Sequence, residues 1–138
     1  MTFTKNDFGT DTMREALRPP LAALEPQMLT VIRNAVADVE EAAWRRVAAR
    51  RIRAVAPGPY AVAVFTAAEV WPHEYDSYSA KGVELYTEAL AVALGDPSEH
   101  VDLDDAELTC ALEGLSALRH PTEGSTMAIS LDGEDVGR

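Results

Sequence analysis

Between Gln27 and Val55 the chain runs for 29 residues, QMLTVIRNAVADVEEAAWRRVAARRIRAV, without a glycine or a proline. Pro26 suits the first position of a helix, where its missing N–H is no loss, and Pro57-Gly58-Pro59 stops one, so a single helical segment is the reading. At 1.5 Å per residue it would be about 43 Å long. A domain of 138 residues has a radius of gyration of only about 14 Å, so such a helix must span the whole body, bend or break. The apolar pattern favours a bend. Met28, Leu29, Ile32, Val36, Val39, Ala43 and Val47 share one face, whereas Trp44, Ala48, Ile52 and Val55 lie about a quarter turn or more away, and beyond residue 44 the first direction is taken by Arg46, Arg50 and Arg53. A change of direction or of packing partner is therefore expected between Glu40 and Trp44.

The segments around this helix predict an α+β sandwich. Thr12-Met-Arg-Glu15 has the spacing of a capping box, and Pro19-Pro20 is expected to stop that helix after two turns at most. Met13, Leu17, Leu21 and Leu24 would then brace one side of the main helix. Tyr60 to Trp71 is apolar at almost every position and rich in β-branched and aromatic residues, as in a strand covered on both faces. Val83, Leu85, Thr87 and Ala89 alternate with polar positions, which favours a strand over 83–91, although the following Ala-Leu-Ala-Val-Ala-Leu before Gly95 also fits a helix with its stop. Asp102 or Asp104 can cap a helix whose Leu108, Leu112, Leu115 and Leu118 form one stripe, and 124–131 reads as a last strand. The expected architecture is one domain over 1–138. A small antiparallel sheet of about three strands packs against a long, bent N-terminal helix and a C-terminal helix, with loosely attached ends at 1–9 and 132–138.

The charge is divided as sharply as the helix. Residues 1–56 carry nine Lys/Arg and seven Asp/Glu, and residues 57–138 carry three and sixteen; 82–118 alone has nine acids and no base. Such a surface repels nucleic acid and membranes and attracts a basic protein. Five arginines, Arg45, Arg46, Arg50, Arg51 and Arg53, are the one basic cluster, and pairing with Glu40, Glu41 and the acidic half explains them better than a phosphate backbone does. The start of the chain lacks the basic-then-apolar pattern of a secretory signal, no apolar run approaches the ~20 residues of a membrane span, and a single cysteine, Cys110, forbids an internal disulfide. A cytoplasmic protein is the expectation.

Chemistry is sparse. Glu99 to Asp105 gathers oxygen ligands, but lacks the central glycine and closing glutamate of a calcium loop, so helix capping is the better account. His73, His100 and His120 stand alone without metal-ligand spacing, and Cys110 is read as a small buried apolar residue. No phosphate-binding glycine pattern or nucleophile elbow occurs, so neither a cofactor nor a metal is expected. The segment 71–78 is the richest in side chains that anchor interfaces: Trp71, His73, Glu74, Tyr75, Asp76 and Tyr78. With Glu99, Asp105 and Glu113 it makes the candidate partner-binding set. The favoured function is a non-catalytic binding protein for a basic partner, analogous in size and acidity to immunity and inhibitor proteins. A small hydrolase or acid–base enzyme using the 71–78 loop is the alternative, and nucleic-acid binding through the arginine helix is a second. The sequence is also compatible with a homo-oligomer.

Overall fold

The computed structural model describes residues 10–69 and 76–132. The chain falls into two compact units, residues 1–38 and 39–138. The first contains α1 (Thr10–Ala22) and the beginning of α2 (Pro26–Val55). The second contains the rest of α2, β1 (Val62–Glu69), β2 (Asp76–Tyr78), β3 (Val83–Tyr86), α3 (Ala89–Leu94), β4 (Glu99–Val101), α4 (Ala106–Arg119) and β5 (Thr126–Ser130). The fold is α+β, and among the described residues its antiparallel sheet has five strands where about three were expected.

β1 is the strand to which the others are keyed. It pairs with β5 through residues 62–66, with β3 through 62–64 and with β2 through 67–69, and β4 continues the sheet from β3. Its alternating residues serve two cores, which is why the strand is apolar at nearly every position. Ala63, Phe65 and Ala67 face a large core with Leu85, Met127 and Ile129, closed by Ile52 of α2 and by Leu108, Leu112 and Leu115 of α4. Val62 and Val64 point the other way and meet Tyr86 and, from α3, Ala91 and Val92.

α2 is one uninterrupted helix of 30 residues, so the rotation of its apolar stripe marks a change of surroundings and not a break. Nothing from residue 11 to residue 47 is buried; Ala48, Ala49 and Ile52 are fully so. Trp44 packs half-buried at the edge of the main core, and its indole N–H donates to Glu40 Oε2 at 3.0 Å, one helical turn earlier. Across from it sits Gly114 of α4, where an added Cβ would lie 2.5 Å from two indole atoms. This glycine exists for a close approach between helices.

Three expectations are corrected. α1 does not stop at Pro19-Pro20 but continues to Ala22, since proline's φ suits a helix even though the bonds to the carbonyls of Glu15 and Ala16 are lost. Residues 83–91 are not one strand: β3 ends at Tyr86, and α3 begins at Ala89 and is closed by Gly95 in a left-handed conformation with φ 74°. Cys110 is exposed, because two residues from Leu108 place it about 200° around α4 from the leucine stripe. That stripe is instead completed by Ala111 and Ser116, while Leu118 is half-buried.

Candidate functional site

The site is built on an irregularity in the sheet. Ala67 opposes Tyr78 and Val64 opposes Glu84, so three steps along β1 correspond to six along the chain facing it. The N–H of Ala67 donates to Ser125 O and its carbonyl accepts from Gly124 N, on the side of β5. β2 therefore lies on the opposite edge of β1, in line with β3, and the two are halves of one strand with the surplus residues of 79–82 looped out between them. Gly82, with φ 67°, makes the reversal that returns the chain to the ladder.

This bulge is tied to the loop that leads from β4 to α4. Leu103 N donates to Ala80 O at 2.8 Å, Gly82 N donates to Asp102 Oδ1 at 2.7 Å, and within the bulge Lys81 N donates to Ser79 Oγ at 3.1 Å. Beneath it, buried Ser116 of α4 accepts from Tyr78 N at 3.0 Å and donates to Leu112 O at 2.7 Å, which anchors β2 to the helix. Between bulge, loop and helix opens a cleft of about 690 Å³ with apolar walls from Ala68, Ala80, Leu103 and Leu112. Among the described residues four carboxylates, Glu69, Asp102, Asp104 and Glu113, line it against a single amine, Lys81. None of the five is in an ion pair among the described residues. Glu69 also stands opposite Asp76 in the β1–β2 register, a like-charge pairing that weakens a sheet and that a bound cation would relieve. Among the described residues no group of three or more His, Cys, Asp or Glu is arranged to hold a metal ion.

The residues singled out from sequence have different fates. Trp71, His73, Glu74 and Tyr75 lie outside the described residues. Asp76 and Tyr78 are not in a loop but in β2, and Tyr78 is only 6% exposed, its ring part of the main core. Glu99, on β4, accepts from the Tyr60 hydroxyl. Asp105 serves the chain itself: it caps α4 by accepting from Leu108 N at 2.9 Å, and it holds Arg51 in a two-pronged pair with distances of 3.0 and 2.7 Å. The Arg51 guanidinium first, and the Leu108 N–H second, hold its carboxyl below the usual aspartate value. Of that set Glu113 lines the cleft together with Tyr78. Glu69, Lys81, Asp102 and Asp104 were not foreseen.

Among the described residues three of the six arginines of α2 are engaged inside the chain, and the expected pairing with Glu40 and Glu41 is not made, since Glu40 accepts from Trp44 and Glu41 pairs with Arg119. Arg51 takes Asp105, with Glu107 at 3.9 Å; Arg53 donates to Leu131 O at 2.7 Å and to Asp132 at 2.9 Å; Arg45 donates to Ala128 O. His100 is exposed on β4, and His120 closes α4 with φ 45°. No described helix is long and apolar enough to cross a membrane. Comparison with models of known protein families, with curated proteins and with solved structures finds no match.

Proposed function

We propose that the protein is a non-catalytic binding protein whose acidic cleft receives a basic segment of a partner protein. The observation that carries this reading is the set of four carboxylates, Glu69, Asp102, Asp104 and Glu113, that line one cleft of about 690 Å³ with apolar walls and are in no ion pair among the described residues. Such a cleft suits a lysine or arginine side chain, whose methylenes lie along the apolar walls while the charged head meets the acids. The electrostatic surroundings agree: residues 39–138 carry eight Lys/Arg and eighteen Asp/Glu. Asp105 is left out of the binding set because Arg51 already holds it.

Affinity capture from the native cell at low and high salt identifies the partner, and a triple reversal, Glu69, Asp104 and Glu113 each to Lys, tests the site. Asp102 is left intact because it tethers the bulge. The variant is expected to associate at least about tenfold more slowly at low salt and to lose most of the salt dependence of that rate, with an unchanged circular dichroism spectrum. An association rate equal to the wild type's at low salt refutes the reading.

A further inference from the structure

Although no side chain from 11 to 47 is buried, α2 carries in that stretch a repeat of the kind that packs helix against helix. Leu29, Ile32, Val36, Val39 and Ala43 follow one another at spacings of three and four, the a and d positions of a heptad, and fall within about 80° of one another around the axis. Val36 and Val39 are 57% and 68% exposed. Helices in proteins owe most of their stability to the packing of such a face, so this one calls for a cover.

We propose that a second copy of the chain supplies it, as an antiparallel α2–α2 pair on a two-fold axis. The charges beside the stripe select this occupant. Arg33 and Glu40 lie on the same flank, seven residues apart, and Arg33 makes no ion pair among the described residues. When Val36 of one copy faces Val39 of the other, Arg33 falls beside Glu40 of the opposite helix, and the symmetry makes that pair twice. The other flank carries Ala35 and Ala42, small enough for close approach. A parallel pair would set Arg33 against Met28 and leave both charges unanswered. Within the seam itself, residues 29–43 carry Arg33 against Asp38, Glu40 and Glu41, so the two crossed Arg33–Glu40 pairs are the attraction that offsets the acids each copy brings. The seam shares no residue with the cleft, so the two readings stand or fall separately.

The two heptads are short, and micromolar association is expected. Sedimentation equilibrium of the full chain from about 1 to 200 µM should show monomer and dimer in exchange. Val36→Glu with Val39→Glu should give a monomer that keeps the wild-type circular dichroism spectrum. Arg33→Glu and Glu40→Arg should each weaken the dimer about 3- to 30-fold by setting like charges together twice, and the two combined should restore it. Because the combined variant regains what each single change loses, a folding defect cannot mimic the result. A wild-type chain that stays monomeric at about 200 µM, a valine variant that still dimerises, or a charge swap without recovery overturns the proposal.

Discussion

The two halves of α2 are made of similar material and do opposite things. From Met28 to Val39 the helix carries six large apolar residues, five of which are exposed; from Trp44 to Val55 it carries four, and Ile52 is wholly enclosed. Apolar content therefore does not decide where the core is. The second half is buried because β1 and β5 present Phe65, Met127 and Ile129 to it, and because the buried positions, Ala48 and Ala49, are small enough for the helix backbone to come close to them. The first half has an equally periodic stripe and no sheet.

The comparison predicts a graded set of stabilities, measured by chemical denaturation at a concentration low enough to keep the chain monomeric. Ile52→Ala should be the most damaging, at about 2–5 kcal/mol, because it removes a fully enclosed side chain and leaves a cavity. Trp44→Ala follows at about 2–3 kcal/mol, below the usual cost of a buried tryptophan because the ring is only half-covered. Gly114→Ala should cost about 1–3 kcal/mol in spite of alanine's better helix propensity, since its Cβ would displace the indole; in the Trp44→Ala background that cost should vanish or reverse, which isolates the contact. Val36→Ser, in the exposed half, should change stability by no more than about 0.5 kcal/mol. An equal loss at Val36 and Ile52 would erase the distinction between the halves.

A pH series sharpens it further. Asp105 is held below its unfolded value by Arg51, so the stability it confers is fully present above the ordinary aspartate range and is lost as pH falls through its lower folded value. Asp105→Asn should therefore flatten the acid limb of the stability curve below about pH 4. At the other extreme, the hydrogen bond from Tyr86 to Glu84 at 2.6 Å, aided by burial, pushes the phenol up to about 12, so one tyrosine should resist ultraviolet titration until the protein approaches that pH.

Much of this was legible in the chain because it is local. The apolar run of β1, the capped leucine stripe of α4 and the breaker at Pro57-Gly58-Pro59 each lie within a few residues of their own signal. β2 and β4 were not legible: Asp-Ser-Tyr and Glu-His-Val carry no strand pattern of their own and exist because β1 and β3 offer them a ladder. α3 lost to a strand reading because Val83 and Leu85 begin a true alternation that stops only after Tyr86. The cleft is harder still, since Glu69 and Asp104 come together only through the looped-out residues 79–82. From sequence Asp102 or Asp104 reads as the cap of α4, whereas the structure gives the cap to Asp105 and makes Asp102 a tether of that bulge.

The bulge has a bearing on how such a protein could change. β2 and β3 are each locked to β1 by their own register, so the number of residues between Tyr78 and Val83 is not fixed by either pairing. A residue inserted or deleted at Ser79–Lys81 would reshape the rim of the cleft while both ladders stay in step, and the main core, which takes nothing from this turn beyond the edge contact of Ala80, would hardly register it. Length variation at that one place is thus a route by which descendants of a single framework could come to accept differently shaped ligands without having to reinvent the sheet that holds them.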